Sequence, residues 1–303
     1  MPQGAGLWVD QGFPGHLWYR GMTMKWLTRR FTVSVGLLVL LTALSVGFCV
    51  RYFPVTTASG WSYRVWIDNV PRVSALALHP DGGLYVTQEF YPPDGKLLHI
   101  QENGERQVLL GNLGKPDGIV PFGDGVVVGQ ESGIAPVLWY RQGRIEKLFE
   151  GNAVEALIAR EGRYLYTVED RRGGNLLRYD HATKQLEALY TKGDGMEGIT
   201  RCPDGMLYFS EKRQGKIYRF NEVDPPKPVI AGLKKPNYLL CTPEGLWITE
   251  DATAHARVLF FADGKISVVA RHLRSAQTIV AVGERRMLVA EQGRNRILEL
   301  TGN

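Results

Sequence analysis

An all-β fold, a six-bladed β-propeller preceded by one N-terminal transmembrane helix, follows from the period of this sequence and the character of its runs. Six glutamates, Glu89, Glu131, Glu169, Glu211, Glu250 and Glu291, recur at intervals of 42, 38, 42, 39 and 41 residues. Each closes a short apolar run, such as GGLYVTQE, GVVVGQE or GMLYFSE, and a second run such as KLLHI, NLLRY or RILEL follows. Repetition near 40 residues with only strand-like runs inside each unit is the pattern of a propeller blade. Residues 61–303 divide into six such units.

The first unit runs ALALHPDGGLYV, GKLLHI, RQVLLGNL. Apolar runs rich in Val, Leu, Ile and Tyr, separated by PDG turns, predict four antiparallel strands, a to d, with a innermost. Later units open at Asp117, Glu155, Glu197, Asn237 and Gln277. The sixth supplies only TIVAV, RMLVAE and RILEL, so Ser62–Trp66 is expected to provide its missing outer strand and cover an otherwise unpaired edge.

Ahead of the repeats, residues 31–50 read FTVSVGLLVLLTALSVGFCV without a charge. A helix of twenty residues spans about 30 Å, the thickness of a bilayer core. Arg20, Lys25, Arg29 and Arg30 precede it, which places residues 1–30 in the cytoplasm as a tail and the propeller outside. Residues 51–60 then form a polar linker. A cleaved signal peptide is the alternative, because MKWLTRR from Met24 resembles a signal n-region. Against it, the apolar run is long and Thr56-Thr57-Ala58 is a poor cleavage site. Phe48 before Cys49 argues against a lipoprotein signal. Residues 1–23 read either as part of the tail or as sequence upstream of a start at Met24.

Composition narrows the function. With 44% hydrophobic and 22% charged residues the chain is globular. The formal charge of +5 is concentrated in residues 1–60, at +4, leaving the repeat region near +1. The basic pI therefore reports the membrane flank, and no nucleic-acid surface is indicated. Cys202 and Cys241 stand near the ends of innermost strands in neighbouring units; a disulfide and two buried small side chains are both compatible, and the second is the simpler reading.

Antiparallel meander geometry brings the start of strand a and the end of strand b to one face. The six glutamates are present in every unit, so they read as parts of the repeat that pair with backbone amides or the next unit. The residues opening strand a vary instead: Ser74, Asp117, Glu155, Glu197, Asn237 and Gln277. Asp117, Glu155, Glu197 and Asn237, from four successive units, form a hard-oxygen set suited to calcium and poorly suited to zinc. Two carboxylates about 6 Å apart repel by about 3 kcal/mol at an effective dielectric of about 20. A cation, bound protons or basic neighbours must therefore compensate. Arg171, Arg172, Lys212, Arg213, Arg257 and Arg294, in the b–c hairpins of the same face, are the competing basic set. His255, in the loop EDATAHAR, is the histidine expected at that face, where it or Glu155 serves as a general base. His79, at the far end of strand a, and His99, inside strand c, read as structural. No G-x-S-x-G elbow and no phosphate-cradling glycine loop occurs.

The runs KPDGIVPFGDGVVVGQESG, GMEGITRCPDGMLYFSEKRQGKIYRF and KPNYLLCTPEGLWITED resemble the gluconolactonase, senescence-marker-protein and strictosidine-synthase-like propellers. In that superfamily, which includes paraoxonases, acids and amides opening the inner strands hold calcium that polarises a lactone or ester carbonyl. The resemblance implies a metal set of Asp117, Glu197 and Asn237, with Glu155 beside them. Ser74 departs from it, standing where the enzymes carry a metal-binding glutamate. Some relatives keep a single membrane anchor. Two functions follow as expectations: a calcium-dependent lactonase or esterase, or a non-catalytic propeller that binds a small molecule or a protein partner at its mouth or rim.

Overall fold

The computed structural model describes residues 17–303, with the backbone alone over 17–28 and 50–52. Of the expected cytoplasmic tail, residues 1–16 lie outside the described residues. The chain divides into two units, 1–53 and 54–303. The first holds one helix, Leu17–Tyr52. Its segment Arg29–Cys49 is long and apolar enough to cross a membrane, and none of it is buried by protein.

The second unit is a six-bladed propeller. Its innermost strands are Val73–Leu78, Ile119–Phe122, Val154–Arg160, Met196–Arg201, Pro236–Thr242 and Ala276–Gly283. Each packs against the next, and the sixth returns to the first. Every blade is an antiparallel meander because its turns are short and its strands alternate apolar and polar residues. Blades contribute side chains to shared interfaces, so the core is six apolar clusters, one between each neighbouring pair. Blades two and three, for example, meet through Phe122, Trp139, Phe149, Leu157 and Tyr179.

Blade six closes as expected, with Trp61–Ile67 as its outer strand. Trp61 pairs with Gly302, Tyr63 with Leu300 and Val65 with Leu298. The expected linker of residues 51–60 is corrected by the structure. The helix continues to Tyr52, and Thr56–Thr57 forms a short strand on the outer edge of blade five, opposite Arg271 and Ala270. Val55 is buried in the cluster between blades five and six. This segment shields an edge that would otherwise be open.

Cys202 and Cys241 form a disulfide, which overturns the simpler reading of two buried thiols. Cys202 follows strand a of blade four and Cys241 lies near the end of strand a of blade five. Adjacent inner strands bring their Cα atoms to 5.1 Å, within disulfide reach. The bond closes a loop of 39 residues, which by chain entropy contributes about 3–4 kcal/mol. Reduction, or Cys241→Ala, is therefore expected to lower the thermal midpoint by about 6–16 °C for a domain of this size. An unchanged midpoint under reducing conditions would show that the bond contributes nothing.

Candidate functional site

Strand pairing shows which residue holds the repeat together. Gln88 lies opposite Val73, Glu169 opposite Val154, Glu211 opposite Met196, Glu250 opposite Pro236 and Glu291 opposite Ala276. Glu169, Glu211, Glu250 and Glu291 accept the backbone N–H of Asn152, Asp194, Lys234 and Arg274 at 2.8–3.1 Å. Each b strand is thereby tied to the chain just ahead of its own blade, the end of the preceding outer strand or the loop after it. In blade two this role belongs to Gln130, which accepts from Gly114 N–H at 2.7 Å, and in blade one Gln88 donates to Pro71 O at 2.8 Å. The structural reading of the glutamates thus holds for blades three to six. Glu89 and Glu131 are corrected: each lies one residue beyond the staple and faces the mouth.

That following position is Glu89, Glu131, Asp170, Lys212, Asp251 and Gln292, and all six line one cavity. The same cavity is lined by Asp117, just ahead of its inner strand, and by the strand-a residues Glu155, Glu197 and Gln277. The inner strands approach closely here because Gly118 and Gly198 have no side chain. A Cβ on Gly118 would lie 1.7 Å from Glu155 O, and one on Gly198 2.3 Å from Asn237 O. Hydroxyls fix the strands further, with Thr87, Ser210 and Thr249 accepting from Ala75, Gly198 and Tyr238 N–H at 2.7–3.0 Å. Each of those amides belongs to the residue after a mouth side chain, so the b strand sets where Ser74, Glu197 and Asn237 sit.

The cavity measures about 230 Å³ and is lined by seven carboxyl groups against Arg72, Lys115 and Lys212. Lys212 Nζ stands 2.9 Å from Glu197 Oε1 and 2.7 Å from Asp251 Oδ2. Lys115 Nζ bridges Glu131 and Glu89, at 3.3 Å from the latter. Ser74 Oγ donates to Asp117, and Asn237 donates through Nδ2 to Gln277. Glu155 Oε2 is buried and has no hydrogen-bond partner among the described residues.

Burial dominates the electrostatics. It pushes the Asp117 carboxyl up to about 8, helped by the charges of Glu89 and Glu131. Glu197 is pushed by burial to about 8 even against Lys212. Burial, then Asp117 and Glu197, raise Glu155 well above the carboxylate range. Burial pulls Lys212 down, but Glu197, Asp251 and Glu155 outweigh it and hold the ammonium above its usual value. Burial raises Asp251, yet Lys212 outweighs this and keeps the carboxylate below its ordinary value.

Asp117, Glu155 and Glu197 line this one cavity, whereas Asn237, hydrogen-bonded to Gln277, does not line it. The carboxylates whose oxygens lie within 4.8 Å of one another are Glu89, Asp117 and Glu131. His255 does not join them. It is exposed on a b–c loop, stands 3.1 Å from His272 and does not line the cavity. The expected basic competitors are largely occupied elsewhere: Arg171 pairs with Glu169, Arg257 with Glu250 and Arg294 with Glu291. Only Lys212 of that set lines the cavity. Lys115, Asp170 and Asp251 escape the sequence reading. A signal for the two acids exists in the dipeptides QE, QE, ED, EK, ED and EQ that close the six b strands.

Fold and site together define a six-bladed propeller with an acidic, lysine-bridged mouth. Among solved structures the chain is similar to a gluconolactonase from Xanthomonas campestris, at 15% identity and TM-score 0.69, covering 82% of this chain and 91% of that one. A candidate gluconolactonase matches at 13% identity and TM-score 0.63, over 82% and 94%. An auxiliary nutrient binding protein from Bacteroides thetaiotaomicron matches at 15% and 0.65, over 79% and 76%. These likenesses show the shared fold. No protein-family model and no curated protein matches the sequence.

Proposed function

We propose that this chain is a membrane-anchored, extracytoplasmic hydrolase of the lactonase or esterase type, with a divalent cation in the mouth of its propeller. The observation behind this reading is Glu155 Oε2, buried without a partner between two carboxyls that burial has also raised. The donor set fits a hard cation: its ligand atoms are oxygens, and a bound cation would take the place of the protons that burial holds on Asp117, Glu155 and Glu197. Asp117, Glu155 and Glu197, with the amide oxygen of Asn237, would hold calcium, which supplies Lewis acidity to a lactone or ester carbonyl. Asp251, kept ionised beside Lys212, takes a proton from the attacking water. Lys212 itself stays charged, fixes Asp251 and offsets negative charge developing on the substrate. The narrow polar cavity orients a small substrate rather than a polymer. His255, outside the cavity, has no part in this scheme.

The anchoring part of the proposal draws on the apolar helix and the basic residues before it, and on the disulfide, a bond typical of oxidising compartments. The gluconolactonase neighbours support the hydrolase reading, whereas the nutrient-binding neighbour and the Lys212 bridge favour a second one, a propeller that binds without catalysis. Calorimetry with calcium and a panel of lactones and esters separates them. Glu197→Gln is expected to weaken calcium binding and turnover together by at least about tenfold, while the unfolding midpoint is retained. Wild type that binds no calcium at millimolar concentration and turns over no member of the panel sinks the hydrolase reading.

A further inference from the structure

On the face opposite the mouth, blade one carries a cluster unlike its counterparts. His79 follows the inner strand, Asp81 lies in the turn after it, and His99 comes from strand c. Asp81 Oδ1 stands 2.6 Å from His79 Nδ1 and 3.1 Å from His99 Nε2. The two imidazoles stack at 3.8 Å between centroids, and His79 packs on Tyr85 at 4.4 Å. Asp81 is held from behind by Gly83 N–H at 3.1 Å. Gly83 is also what admits the ring: a Cβ there would lie 2.8 Å from His99 Nε2.

Blade four has the same turn and fills it differently. Tyr208 is the counterpart of Tyr85, Asp204 of Asp81, and Arg219, paired across the strands with Tyr208, of His99, which pairs with Tyr85. There Asp204 is met by Arg219 at 2.9 Å and Tyr208 at 3.1 Å. Arg219 is a permanent cation with no lone pair to give. Where His79 stands, blade four has Cys202, committed to its disulfide. Blade one thus replaces a saturated ion pair with two imidazoles converging on one carboxylate oxygen.

We propose that His79, Asp81 and His99 form a binding site for a borderline divalent transition metal such as zinc. The three ligand atoms lie within 4.8 Å of one another. Their nitrogen–oxygen distances are inside the about 3.3 Å that donors about 2.0–2.1 Å from a tetrahedral zinc must keep, so a small outward movement of the exposed Asp81 admits the ion. Two imidazoles and a carboxylate suit zinc, nickel or copper, whereas the carboxylates of the mouth suit calcium, so the two sites select different ions. His99 is almost fully buried and stacked, so its ring is positioned before a metal arrives. Three protein ligands leave a position open toward a surface cavity of about 490 Å³, whose far wall is Asp124 and Tyr140 of blade two. An open fourth position takes water or a small anionic ligand.

The test is metal titration of the full-length chain, with cobalt(II) followed by its visible absorption and zinc followed by calorimetry and competition. Wild type is expected to take up one zinc at micromolar concentration and to raise its unfolding midpoint when loaded. His79→Ala and His99→Gln should each weaken zinc by at least about a hundredfold, because losing a ligand costs no less than losing the outer partner that orients one. Glu155→Gln should leave zinc binding unchanged, which separates this site from the mouth. His79 is partly exposed, so His79→Ala serves if the buried His99 variant fails to fold. Zinc uptake that is equal in wild type and His79→Ala, or absent from wild type, overturns the proposal.

Discussion

A chain lacking Trp61–Ile67 is expected to lose its cooperative thermal transition altogether. Among the described residues, this strand alone joins the start of the repeat region to its end within one blade, pairing with Arg296–Gly302 along its length. Removing it strips the ladder hydrogen bonds, each worth about 1 kcal/mol net. It also removes the apolar cover of Trp61, Trp66 and Ile67 over the clusters on both sides of blade six. At about 1.5–3 kcal/mol for each fully buried side chain, and less for these partly buried ones, the total loss is about 5–10 kcal/mol. A domain of this kind is stable by only about 5–15 kcal/mol. The exposed edge of the last strand would in addition favour association between chains. Circular dichroism through a thermal ramp measures the effect. A truncated chain that melts cooperatively at the wild-type midpoint would show that ring closure lies elsewhere.

Replacing Glu155 by Gln is expected to stabilise the metal-free chain at pH 8 and to change nothing at pH 5. In the unfolded chain, aspartate and glutamate ionise near about 4. In the folded chain Asp117 and Glu197 ionise only near about 8, and Glu155 is likewise raised. Between those limits the native state binds more protons than the unfolded state, so stability falls as pH rises through that window. Glu155→Gln keeps the shape and removes the cost of holding a proton on a buried carboxyl that the unfolded chain has already released, about 1.4 kcal/mol for each unit by which the folded group is raised. Each such unit corresponds to a midpoint about 3–6 °C higher than wild type at pH 8 in chelator. Millimolar calcium should reverse the order, because wild type gains a ligand that the variant has lost. Parallel pH profiles for the two proteins in chelator would show that Glu155 carries no strain. Equal response to calcium would remove it from the cation site.

The closing strand is legible in the sequence because the sixth unit is visibly one strand short and Trp61–Ile67 alternates like a strand. The mouth is legible only in part. Asp117, Glu155 and Glu197 stand out because they vary within a repeat, at a position whose geometry depends only on strand order. Glu89 and Glu131 are misplaced by a single residue when the repeat is aligned on its glutamates. Two of the six staples are glutamines, so that alignment slips the register in blades one and two. In a strand, one residue of slip moves a side chain to the opposite face.

What the sequence alone determined is what local chemistry can set. These are the six-fold period, the four-strand blade, the apolar span before it and the charge of each segment. Hydrophobic alternation and turn residues act over a few neighbours, and repetition makes them unambiguous. Only the tertiary structure decided the pairings between distant residues: Cys202 with Cys241, Lys212 with both Glu197 and Asp251, His79 with His99, and Val55–Thr57 against blade five. It also left His255 on the rim. Each of these depends on strand register and on which loop faces which, and both are set when six blades close on one another at packing distance.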